Sequence, residues 1–234
     1  MDASLATLLV ASVTVAGTHT FIGVDHYLPF VVLGRARNWP LTRVLGITAL
    51  CGLGHVIGSI VLGFAGIGLG FAVSDLVDIE SVRGSLAAWS LIAFGLVYAA
   101  WATVRLLRNR THTHVHAHED GTLHTHHHNH HEDHLHAHAG AGLTIWAVFV
   151  IFVLGPCEPL IPLLMAPAWQ YDWWGVAAVA GTFSVTTIAM MLTMATIGSL
   201  GLRMVSVQKV HRYAHVLAGL AIFSSGVAIQ ALGI

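Results

Sequence analysis

Six long apolar segments leave this chain few ways to fold. They lie at roughly 4–34, 41–74, 84–106, 142–166, 173–201 and 211–233. All are too long and too glycine-rich to be strands, and all reach the roughly 20 residues with which a helix spans the hydrocarbon of a bilayer. Only 9% of the 234 residues are charged and 56% are hydrophobic, whereas soluble domains carry about 25% charged residues. The sequence therefore predicts an all-α, polytopic membrane protein with six transmembrane helices and the lipid bilayer as its first partner. A formal net charge of -1 gives no basis for nucleic-acid binding. Cys51 and Cys157 both lie in apolar segments and supply neither a disulfide framework nor a C-x-x-C pair. The first segment lacks a basic leader and a small-residue cleavage site, so it reads as a retained helix and not a signal peptide.

The cations set an orientation. Arg35, Arg37 and Arg43 follow the first segment, Arg105, Arg108 and Arg110 the third, and Arg203, Lys209 and Arg212 the fifth. If all six segments span, these loops share one side, and of the 10 cations only Arg83 lies opposite, with Asp2, Asp75, Asp78, Glu80 and Asp172. The positive-inside rule then places both termini outside and the loop after the third segment in the cytoplasm.

That loop contains THTHVHAHEDGTLHTHHHNHHEDHLHAH at 111–138, which holds thirteen of the 18 histidines together with Glu119, Asp120, Glu132 and Asp133. With almost no apolar residues it cannot offset the entropy of ordering, so it is expected to be disordered. Neutral imidazole is a common ligand for zinc, copper and nickel, which makes the tract a flexible multidentate metal trap. His211 and His215 are four apart in the last segment, a spacing that puts both on one helical face.

The two halves echo one another. Gly23-Val-Asp-His-Tyr-Leu-Pro-Phe30 aligns without gaps on Gly155-Pro-Cys-Glu-Pro-Leu-Ile-Pro162, pairing Asp25 with Cys157 and His26 with Glu158. The same offset pairs His55 with Thr187. Repeats of three helices must be inverted in the membrane, and such repeats place their substrate site near the midplane, often at interrupted helices. Pro29, Pro156, Pro159 and Pro162 are suited to interrupt them. The expected organisation is a first three-helix repeat at 1–106, a cytoplasmic His-rich loop at 107–141 and a second repeat at 142–234.

An ionisable side chain deep in a bilayer costs roughly 2.5–3.5 kcal/mol on insertion scales and marks a functional site. Here these are His19, Asp25, His26, His55 and Glu158, with Cys157 beside the last. On a straight helix His19 and His26 would lie about 10.5 Å apart along the axis. Either the helix unwinds at Gly23 and the two bind one ion, or they mark successive stations on a path.

His19-Thr-Phe-Ile-Gly-Val-Asp25-His26, followed by Gly54-His55 in the next helix, resembles the nickel–cobalt transporter superfamily of permeases, efflux proteins and urease-associated permeases. Five residues separate His19 from Asp25, where the permease motif has four. The resemblance implies that His19, Asp25 and His26 recognise metal with support from His55, and that the His-rich loop belongs with the efflux branch. Gly155-Pro-Cys-Glu-Pro is similar to elements of thiol-electron-conducting and sulfite-exporter-like membrane proteins. The expectation is a non-enzymatic transporter, importing or exporting a divalent transition metal, with nickel or cobalt ahead of zinc. Its site would be built from His26, Asp25, His19, His55, Glu158 and Cys157. Partners would be a second copy of the chain or a cytoplasmic metallochaperone. Three other readings stand beside it: a thiol-redox electron conductor, a sulfite-exporter-like anion transporter, and a metal sensor or accessory subunit that does not transport.

Overall fold

The computed structural model describes residues 3–108, 113–117, 123–127, 137–170, 173–204 and 212–232; side chains are described for 5–108, 142, 144–165, 173–204 and 212–232. Helix α1 (Ala3–Ile22) ends before Gly23, a 3-10 turn occupies Val24–His26, and α2 (Leu28–Ala36) resumes with Pro29 in its first turn. Proline has no N–H to donate and is best placed at a helix start, so the expected segment 4–34 is two helices and not one. Helix α3 (Leu41–Leu69) starts after Pro40 and stops at Gly70, whose φ of 73° is left-handed. There the Phe71 N–H reaches back to Gly66 O at 2.9 Å, satisfying a carbonyl the helix would otherwise orphan.

Helix α4 runs from Val73 to Arg108, well before the expected start of the third segment at 84. Asp75 Oδ2 accepts the Ala72 N–H (3.1 Å) at its first turn. The helix extends because Glu80 and Arg83, one turn apart, pair with each other and turn into the protein. Helix α5 (Ala137–Leu154) is separated from α6 (Leu160–Gln170) by residues 155–159, which include Pro156 and Pro159. The expected segment 142–166 is therefore also divided. Helices α7 (Trp173–Met204) and α8 (Ala214–Leu232) complete the bundle.

Among the described residues five helices, α1, α3, α4, α7 and α8, are long and apolar enough to cross a membrane, a length and composition that fit a membrane-embedded protein; the apolar stretch of α5, Thr144–Leu154, is shorter. Their outer faces carry exposed Val10, Leu50, Val61, Leu96, Val150, Val185 and Leu220, as lipid-facing helices should. Inside, Phe30, Leu33, Cys51, Phe152, Met191 and Ile222 form one apolar cluster, and Cys157, Leu160, Leu164, Val176 and Phe183 a second. Helix α1 packs on α7 and α5 on α3; α2 packs on α8 and α6 on α4; α3 meets α7, and α4 lies along α8. Glycines allow the last pair to touch backbone to backbone: a Cβ on Gly219 would lie 2.6 Å from Ala99 N, and one on Gly95 would collide with Phe223 N.

Within the His tract, Thr113–Ala117 and Leu123–His127 form two antiparallel strands, with His114 opposite His126 and His116 opposite His124. This corrects the expectation of a wholly disordered loop. Histidine here alternates with Thr, Val and Ala, a period of two that suits a strand. Ala137 and His138, the last two residues of the tract, open α5; the rest of the tract, His211, and the loop charges Asp2, Arg110, Asp172 and Lys209 lie outside the described residues. His215 Nδ1 bonds the Tyr98 hydroxyl at 2.8 Å, where α4 meets α8.

Candidate metal centre

The break between α1 and α2 folds the chain back on itself. The Gly23 N–H closes the last turn of α1 on His19 O (2.9 Å), and the His26 N–H bonds Gly23 O (3.1 Å). The 3-10 turn brings the His26 ring against the end of α1, with ring centroids of His19 and His26 4.9 Å apart and nearly perpendicular. Of the two alternatives for these histidines, the unwound helix is the one observed. Gly23 is required: a Cβ there would sit 2.8 Å from His26 Cε1. His55, from the middle of α3, also meets His26, with ring centroids 5.2 Å apart. The three imidazoles thus form a cluster, with His26 (4% exposed) and His55 (3% exposed) buried.

The ring nitrogens have defined partners. His26 Nδ1 lies 3.0 Å from Gly23 O and 3.2 Å from Asp25 Oδ1. His55 Nδ1 lies 3.4 Å from Phe152 O at the end of α5. A carbonyl oxygen can only accept, so in both rings Nδ1 carries the hydrogen and, in the neutral imidazole, Nε2 holds a lone pair. The Nε2 atoms of His19, His26 and His55 are all buried without a hydrogen-bond partner.

The second break brings a thiol to the same place. Cys157 is fully buried, and its Sγ, a nitrogen of His19 and a nitrogen of His55 all lie within 4.8 Å of one another. Glu80 and Arg83 of α4 bridge the gap in the chain. Arg83 donates to Val153 O (2.9 Å) and Gly155 O (3.4 Å), carbonyls that α5 leaves unpaired where it stops. Glu80, with 0% exposure, accepts the Cys157 N–H (2.9 Å) and the Ser59 hydroxyl (3.3 Å), and forms an ion pair with Arg83. The charge pair therefore replaces the hydrogen bonds that the proline-rich break removes.

A cavity of about 300 Å³ lies beside the imidazoles. His19, Asp25, His26 and His55 line it with Gly23 and Gly155, and the remaining wall is almost wholly apolar. Four of the expected site residues are thus gathered around one space, and Cys157 joins two of them from outside the cavity wall. Glu158 is exposed and does not line the cavity, while its neighbour Cys157 is the member of the pair that is buried. The carboxylate that the sequence reading missed is Glu80. Its signal was an acid and a base spaced i, i+3 directly before the small-residue run that starts at Gly84. Thr187, the alignment partner of His55, is fully buried with an unpartnered hydroxyl. The chain matches no protein-family model, and no curated protein or solved structure gives a match.

Proposed function

We propose that this protein is a membrane transporter of divalent transition-metal ions whose cargo site is the imidazole cluster at the first helix break. One observation carries the reading: His26 and His55 each give their N–H to a backbone carbonyl and turn a bare, unpartnered Nε2 inward beside His19. A buried polar atom without a partner costs about 1–3 kcal/mol. Neutral imidazoles that share such an arrangement offer their lone pairs to a metal. Asp25 supplies negative charge beside them and fixes the His26 ring. The resemblance to nickel–cobalt transporters assigns metal recognition to these same side chains in helix 1. The chain carries its cargo and performs no covalent chemistry on it.

We read the architecture as six crossings in two inverted three-helix repeats, with both termini outside and the His-rich loop cytoplasmic, where it collects ions. Two features support the repeats. The breaks at 23–27 and 155–159 occupy matching places in the ungapped alignment. Part of the packing also recurs when the halves are exchanged: α1 on α7 has a counterpart in α5 on α3, and α2 on α8 has a smaller one in α6 on α4, while α4 on α5 has no comparable counterpart. Alternating access would then rock one half against the other around the site. The thiol-redox reading needs two cysteines that meet, but Cys51 and Cys157 lie in different core clusters. The anion-exporter reading needs a cation at the cavity, and no Lys or Arg is among its lining residues.

The test is flux into proteoliposomes loaded with a metal-sensitive dye. The parent protein is expected to pass nickel, cobalt or zinc, and His55→Ala to stop it with normal incorporation. Equal flux from His55→Ala and the parent would refute the site. Metal binding without flux in the parent would favour a sensor or accessory subunit.

A further inference from the structure

We infer that the preferred cargo is a thiophilic ion of the zinc and cadmium class, and that Cys157 supplies the ligand that selects it. This rests on the metal-transport reading above. The donors that converge most closely are two imidazoles and one thiol, from His19, His55 and Cys157. His26 is not part of that close set; its ring touches those of both His19 and His55 and is tied to Gly23 O and Asp25. The site therefore has a sulfur where the resemblance implies only nitrogen and oxygen.

Cys157 is not an ordinary apolar filler. It lies between Pro156 and Pro159 in a helix break, with its own N–H held by a fully buried carboxylate. The flanking carbonyls are held by Arg83. A buried ion pair is costly to assemble in a membrane protein, and here both of its members fix the backbone that carries one thiol. The imidazoles come from the first half of the chain and the sulfur from the second, so the three-donor set exists only when the halves are together.

Two nitrogens and one sulfur with a fourth position open suit a tetrahedral d10 ion, whereas sites made of imidazole and carboxylate suit nickel and cobalt. Bond lengths of about 2.0–2.1 Å to nitrogen and 2.3 Å to sulfur place tetrahedral donors roughly 3.3–3.6 Å apart. With every separation within 4.8 Å, the donors need at most roughly 1.2–1.5 Å of further approach. Binding exchanges the Sγ–H bond for an Sγ–metal bond and releases the proton to water. Transport then has a natural release step, because withdrawing the second half removes the sulfur and leaves the ion on imidazoles alone.

The test uses the full-length chain with the tract histidines changed to glutamine, loaded with cobalt as a spectroscopic probe. A near-ultraviolet thiolate-to-cobalt charge-transfer band is expected in this protein and should vanish in Cys157→Ser. In competition titrations Cys157→Ser should lose at least roughly 10-fold in cadmium affinity, the lower end of what disturbing even an outer partner costs a metal site. Its nickel affinity should change much less. A parent that binds cobalt without the band, with the cadmium-to-nickel preference unchanged in Cys157→Ser, would overturn the inference and leave the transport reading standing. A parent that binds no metal at all would overturn both. The parent's band needs no variant, so a poorly folding Cys157→Ser does not stop the test.

Discussion

A histidine buried in a membrane bundle must satisfy two ring nitrogens, and His55 satisfies one. Its Nδ1 has Phe152 O; its Nε2 has nothing. On the metal-site reading, His55→Ala removes a ligand while Asp25→Asn removes only a carboxylate that orients His26. Asp25→Asn is expected to weaken metal binding by about 10–100-fold, and His55→Ala by more, as read by competition titration of the purified protein. The reverse ranking would make Asp25 the ligand and His55 a packing residue. Most of these residues were legible in the sequence, because an ionisable group in an apolar run is conspicuous. Glu158 and Glu80 were not told apart. Glu158 stood in a proline-rich element that looked functional, while Glu80 beside Arg83 looked like a solvated helix end. Only the backbone path through the second break shows that Cys157 turns in, Glu158 turns out, and Glu80 fills the gap.

At the scale of elements, the α4 charge pair acts as a splint across the α5–α6 break. Glu80→Ala leaves Arg83 buried with one partner fewer and the Cys157 N–H unbonded, and is expected to destabilise the protein by about 3–5 kcal/mol. Glu80→Gln with Arg83→Met keeps an acceptor for that N–H and removes both charges, so it should recover part of the loss. Thermal unfolding in detergent compares them; a double variant no more stable than Glu80→Ala would show that the pair does not act as a unit. The α4–α8 contact gives a second expectation. Gly219→Leu should separate these helices and lower the unfolding temperature sharply, while Gly46→Leu, where a Cβ meets nothing within 4 Å, should not. The breaks were legible from Gly23, Pro29, Pro156 and Pro159, since proline removes a donor and glycine permits a turn. The 3-10 geometry that stacks His26 against His19 was not, because it depends on how far the chain turns within five residues. The early start of α4 was hidden because charged residues close to an apolar run normally mark its end.

For the whole molecule, the length and apolar composition of continuous runs gave the helices, but two of those runs are divided where proline and glycine fall. The proposed repeat rests in the sequence on one short alignment and the His55–Thr187 pairing at the same offset. Sidedness has a direct test. Cys51 and Cys157 are fully buried, so an impermeant maleimide should report only on introduced thiols. In intact cells Ser4→Cys is expected to react and Gly121→Cys to stay unlabelled until the membrane is opened; the opposite pattern would invert the topology. The central claim is that the buried imidazole cluster binds the cargo ion, and the most direct measurement is metal stoichiometry by mass spectrometry on the 234-residue chain with its tract histidines replaced by glutamine. One ion per chain is expected, lost when His19 and His55 are both changed to alanine. One ion per chain retained in that double variant would place the site elsewhere and contradict the account.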